Sequence, residues 1–202
     1  VKTLARLFAA AATFVVLTAA PTARAAEETY PTDQVLGRPD APLTIIEYAS
    51  TTCGHCATFN KTVLPRVKAE WIDTGRAKLI FRDYPTGPHA LSLGASMIPH
   101  CAGPDRYFGL LGLIMDQQER WMGSANPLAE LKKLSKLAGM GEDKVDECLR
   151  RQDLANALEA RARDAFEKRG IDGTPAFIID GKVLPGARPF EEIDKALKAA
   201  SK

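Results

Sequence analysis

The stretch from Leu43 to Tyr84 constrains this chain more than any other. "LTIIEYA" (Leu43 to Ala49) is an apolar, β-branched run, long enough for one buried strand and too short for a packed helix. Two cysteines follow in "CGHC" (Cys53 to Cys56), and beyond them Phe59, Val63 and Val67 recur at helical spacing, with Leu64 and Trp71 nearby. This predicts an amphipathic helix with the cysteines at its N-terminus, kinked rather than ended by Pro65. Thr74-Gly75 stops it, and "AKLIFRDY" (Ala77 to Tyr84) reads as a second strand closed by Pro85. Strand, helix and strand joined by short connections form a βαβ unit, whose strands are expected to be parallel and its crossover right-handed.

The pattern then changes. From His89 to Lys168 the chain reads as helical, with breaks at Ala102-Gly103-Pro104, at Gly123 to Pro127 and around Gly139 to Gly141. Strands return at "PAFIID" (Pro175 to Asp180), and Asp180-Gly181 is a hairpin turn into "KVL" (Lys182 to Leu184). Pro189 opens a final helix in which Phe190, Ile193 and Leu197 share a face. The expected order is β-α-β, a helical block, then β-β-α.

The N-terminus reads as an address. Lys2 and Arg6 precede the apolar run Leu7 to Ala20, and Ala23-Arg24-Ala25 offers small residues where a signal peptidase cuts. A signal peptide over 1–25, cleaved near Ala25, would make the protein periplasmic; a retained anchor is the alternative. Losing the leader's three cations turns a formal net charge of +2 into −1, so nothing here points to nucleic acid or an anionic membrane. All four cysteines lie beyond the leader, and an exported chain favours disulfide over metal chemistry.

A structural zinc site wants two close ligand pairs, and only Cys53 and Cys56 are close; haem attachment needs His directly after the second cysteine, where Ala57 stands. A redox pair fits better. Cys53 opens the helix, where unpaired backbone N–H groups and the macrodipole stabilise a thiolate, and His55 can add positive charge when protonated. Cys56, one turn inside, is expected to be the buried resolving thiol. The dithiol itself carries the electrons, so no metal or other cofactor is expected.

Strand, "CGHC" at a helix start and the late "GTPAF" (Gly173 to Phe177) together resemble the thioredoxin fold, an α/β architecture. The helical block between the β-α-β and β-β-α halves resembles the DsbA branch, the exported oxidants of protein thiols. The resemblance implies a thioredoxin-fold first half at 26–86, an inserted helical domain at 87–168 and a second half at 169–202. It implies that Pro175 is cis beside the cysteines, that Thr174 and Gly173 border the substrate, and that Glu47 is a buried acid beneath the dithiol, able to relay the proton of Cys56. Lys78, on the next strand, is expected as a partner of Glu47, while His89 and His100 are expected on helix surfaces.

The best-known DsbA members carry Val before the matching proline and Pro before the active-site His; Thr174 and Gly54 stand there instead, as in isomerases and other DsbA branches. The redox direction is therefore open between oxidase and isomerase or reductase, and a thioredoxin-like chaperone with incidental cysteines is the non-enzymatic alternative. No room for a dimerisation region lies between Ala25 and Cys53, so a monomer is expected. The resemblance further implies reduced exported proteins as substrates and a membrane quinone-linked oxidase as recycling partner. Cys101 and Cys148 have no neighbour at C-x-x-C spacing and, in an oxidising compartment, most simply form a structural disulfide with each other.

Overall fold

The structure is a computed structural model that describes residues 28–202; the expected leader and its cleavage point lie outside the described residues. Its centre is a five-stranded sheet in the order β1-β3-β2-β4-β5. The strands are β1 (Gln34–Leu36), β2 (Leu43–Ala49), β3 (Ala77–Asp83), β4 (Ala176–Ile179) and β5 (Lys182–Pro185). β2 and β3 run parallel with Glu47 opposite Phe81, and every other pairing is antiparallel. The apolar runs fall in the middle of the sheet, where both faces are covered.

Alternation along the strands sorts side chains to two faces. Ile45, Leu79, Phe81 and Phe177 pack on one face against Phe59, Val67 and Trp71. Phe59 and Phe177 meet with ring centroids 4.6 Å apart, a contact worth about 1 kcal/mol beyond its buried area. Ile46, Tyr48, Ile80 and Ile178 pack on the other face against Ala165 and Ile171.

Phe59 belongs to α1 (Gly54–Thr62) and Val67 to α2 (Leu64–Val67), which continues as a π-helical turn over Lys68–Ile72. Pro65 has no N–H for a helical bond, so the helix divides at Val63, whose backbone stays helical at φ −107° and ψ −47°. The six helices between β3 and β4 are α3 (His89–Ala102), α4 (Pro104–Asp116), α5 (Gln118–Met122), α6 (Pro127–Leu137), α7 (Glu142–Leu149) and α8 (Gln152–Arg169). They enclose a core of their own that includes Ile98, Leu110, Trp121, Leu131 and Leu158, and within it Cys101 is bonded to Cys148. The last helix, α9 (Phe190–Ala200), buries Phe190, Ile193 and Leu197 as its spacing predicts.

β1 lies in a polar, proline-containing segment before Pro42 that carries no strand pattern of its own. It is held by pairing with β3 and ends at Gly37. Gly37 has φ +97°, and a Cβ there would stand 2.5 Å from Ile72 Cγ2, so only glycine lets this edge strand turn away.

Candidate active site

Beyond β2 the chain makes a turn in which Cys53 N donates to Ser50 O at 3.1 Å, and α1 begins. Cys53 is the N-cap of α1, extended at φ −87° and ψ 117°, with no acidic residue in the first turn to compete for the free N–H groups. Cys53 is a partly exposed residue, and its sulfur, as a thiol, lies 3.3 Å from Thr174 O. The Cys56 thiol donating to it brings Cys53 down to about 5; burial opposes this, and the Thr174 side chain and the backbone N–H groups of Cys56 and His55 add to it. Cys56 is fully buried, and burial first, then the adjacent Cys53, push its thiol far above the ordinary value. The two sulfurs, one helical turn apart, thus differ sharply in proton affinity.

Glu47, in the central strand, is 2% exposed, and burial, then the charge of Cys53, raise its carboxyl to about 8. Near neutral pH it holds a proton. Thr174-Pro175 is a cis peptide bond that presents the Thr174 carbonyl to Cys53, with Pro175 buried and Gly173 exposed beside it. The fold thus brings Cys53, Cys56, Glu47, Thr174 and Pro175 together from three separate segments. The His55 side chain is exposed and lines a shallow groove with Phe59, Arg188 and Pro189; its backbone N–H is what serves the Cys53 thiolate.

Two expectations are corrected. Lys78 donates to Pro39 O and does not reach Glu47. Glu47 faces Phe81 across the β2–β3 pair, and Lys78 stands an odd number of residues from Phe81, which puts it on the opposite face of the sheet. His100 is not on the surface: its side chain is 5% exposed and its Nε2 lies 2.8 Å from Asp83 Oδ2. His89 is exposed, as expected.

The His100–Asp83 contact belongs to a buried polar cluster behind the site. Asp83 also accepts from Arg161 at 2.8 Å, and Arg82 pairs with Asp33 at 2.9 Å and donates to Tyr48 at 2.8 Å. Burial alone would raise the Asp83 carboxyl, yet His100 and Arg161 hold it below the usual range. Charged Arg82 and Asp83 closing an apolar strand are the sequence trace of this cluster. A second polar group has no such trace in the sequence. Thr51, Thr52, Thr86 and Ser92 tie the turn before Cys53 to the start of α3 through their hydroxyls, with Ser50 Oγ 2.8 Å from both Ser92 and Thr86.

The Thioredoxin family model matches residues 29–199. Crystalline alpha-DsbA1 of Wolbachia pipientis is 28% identical, with a TM-score of 0.77 over 85% of this chain and 92% of that one. A Rickettsia bellii protein described as "Putative protein-disulfide oxidoreductase" is 29% identical over 150 residues, 74% of this chain but only 57% of the relative. The chain thus spans less than two thirds of the length of that rickettsial relative. Disulfide bond formation protein D of Bacillus subtilis is 23% identical over 171 residues, 81% of this chain and 75% of the relative. With a sheet of thioredoxin type, a dithiol at the start of α1 and a helical insertion between β3 and β4, this chain belongs to the thioredoxin family and has the architecture of its DsbA-like members.

Proposed function

We propose that this chain is an exported thiol–disulfide oxidoreductase that introduces disulfides into reduced substrate proteins through Cys53 and Cys56. The observation that carries the reading is the inequality of the two thiols, with Cys53 accessible and lowered to about 5 and Cys56 buried and raised. A substrate thiolate attacks Cys53 Sγ of the Cys53–Cys56 disulfide, forming a mixed disulfide and releasing Cys56. The Cys56 sulfur takes a proton, for which Glu47 is the buried donor. A second substrate thiolate then attacks the substrate sulfur and expels Cys53 as a thiolate. The substrate loses two electrons and gains a disulfide, and the enzyme is left as a dithiol.

Stabilising the Cys53 thiolate stabilises the reduced enzyme, which favours oxidation of the substrate. Thr174 and Pro175 border the attacked sulfur, and the Thr174 backbone is the group there that an extended, sequence-tolerant peptide would pair with. Residues 26–86 and 169–202 serve as the two thioredoxin halves and 87–168 as the inserted domain, acting as a monomer in the periplasm and recycled by a quinone-linked membrane oxidase. Gly54 and Thr174 favour isomerase or reductase activity as the second reading. The test is the equilibrium of the Cys53–Cys56 pair against glutathione, together with oxidation of a reduced dithiol peptide. A pair more reducing than glutathione overturns the oxidase in favour of the second reading. Full protection of an unfolded protein by Cys53→Ser, with no peptide oxidation by the parent, would leave only a chaperone.

A further inference from the structure

We propose that Gln118, carried by the helical insertion, is a positioning residue for Cys53: its side-chain amide holds the Thr51 and Cys53 carbonyls and so fixes the groups that surround the sulfur. The inference rests on the reading of Cys53 as the reactive thiol. Gln118 opens α5, is 6% exposed, and its Nε2 donates to Thr51 O at 2.8 Å and to Cys53 O at 3.1 Å. A side-chain amide has two N–H donors, and both are engaged. The amide orientation is chemically determined, since turning it over would set Oε1 against two carbonyl oxygens. Oε1 instead lies on the side of Gly54, 3.9 Å from where a Cβ on that residue would stand.

Both acceptors lie in the turn that delivers Cys53. Thr51 is fully buried inside the turn closed by Cys53 N and Ser50 O, and that closing bond does not use its carbonyl. Cys53 O already accepts from Ala57 N, the first bond of α1, and Gln118 adds the second donor. The clamp therefore locks the peptide planes on either side of the turn. Cys53 keeps φ −87° and ψ 117°, and with that conformation the N–H groups of His55 and Cys56 converge on Sγ. Donation to Cys53 O also draws off negative charge from the carbonyl next to the thiolate, without placing an ion beside it. A merely space-filling residue would do neither.

The test compares the reduced parent with Gln118→Leu and Gln118→Glu by following Cys53 thiolate absorbance against pH. Cys53 in the parent should titrate near 5. In Gln118→Leu the midpoint should rise by about one unit, and the equilibrium for oxidation of a dithiol peptide by the Cys53–Cys56 disulfide should become roughly tenfold less favourable. Gln118→Glu, of the same shape, should shift further once its carboxylate ionises. Below that ionisation its protonated carboxyl restores one donor, so its profile should carry a second inflection. A folded Gln118→Leu with the parent's midpoint and equilibrium overturns the proposal. Should neither variant fold, the Gln118 side-chain N–H signals of the parent decide by nuclear magnetic resonance: they should titrate with Cys53, and signals indifferent to that titration overturn the clamp. A parent that titrates as described but oxidises no peptide counts against the proposed function and not against Gln118.

Discussion

Glu47→Gln removes a carboxyl that the fold keeps out of water, and its effect on stability can be worked out with its sign. The carboxyl is raised from 4.5 to about 8, by burial first and by Cys53 second. Between those values the folded chain keeps a proton that the unfolded chain releases, so the parent loses stability as pH rises through that window. Below pH 4.5 both states are protonated and the loss disappears. At pH 7 the penalty is about 2.5 pH units at roughly 1.4 kcal/mol each, or about 3 kcal/mol. Glutamine carries no such penalty. Its buried amide has a cost of its own, of order 1–3 kcal/mol if a donor goes unpaired, but that cost does not vary with pH. The diagnostic quantity is therefore the change in the gap between variant and parent, which should move by about 3 kcal/mol in favour of the variant from pH 4 to pH 7. Urea unfolding of both proteins at four pH values, with both disulfides intact, measures it. Oxidation removes the Cys53 thiolate, so the swing there should be somewhat smaller and due to burial alone. A gap independent of pH would show that Glu47 ionises normally and would refute its assignment as a proton donor.

Three further outcomes are expected. Iodoacetamide should modify Cys53 with a midpoint near pH 5 and leave Cys56 untouched in the folded, reduced protein; preferential labelling of Cys56 would reverse the two roles. Asp83→Asn leaves the buried Arg161 guanidinium with only the more distant Asp33, at 3.7 Å, as a carboxylate partner and should cost about 3 kcal/mol in urea unfolding, and a loss below about 1 kcal/mol would show the cluster to be solvated. Cys101→Ala with Cys148→Ala opens a link across a sequence separation of 47 and should cost about 4 kcal/mol, visible as a lower melting temperature with most redox activity kept; an unchanged melting temperature would refute a structural role.

What the sequence disclosed follows from the length over which a signal accumulates. β2 and β3 are seven residues each and α9 is eleven, so their apolar periods are unambiguous. β1 has three residues, too few to show any period, and exists because β3 offers it an edge. Glu47 could be read because an acid inside an apolar strand must be buried or break the pattern. The pairing of His100 with Asp83 could not, since charges closing β3 mark a polar cluster but not its partners, and the two meet only when the start of the helical block folds back on the end of β3. The same holds for Gln118, an ordinary polar residue inside a helical run until α5 is set against the turn at Cys53.

The chemistry proposed here turns on where one helix begins. Two cysteines three positions apart lie on one side of α1, but only the first stands where the backbone N–H groups have no partners of their own. Cys53 therefore becomes a stable anion and an easy leaving group, whereas Cys56, buried on its inner side, is an anion only at high cost. Left alone, that inequality would stall the first step, because attack at Cys53 must expel Cys56 as a thiolate. A proton supplied from within removes the difficulty. The central strand carries Glu47 on the face that α1 covers, still protonated at neutral pH because the same burial that penalises the Cys56 thiolate penalises its carboxylate. One desolvated pocket thus raises both groups, and their shared preference for the proton allows it to pass between them while Cys53 alone keeps its charge.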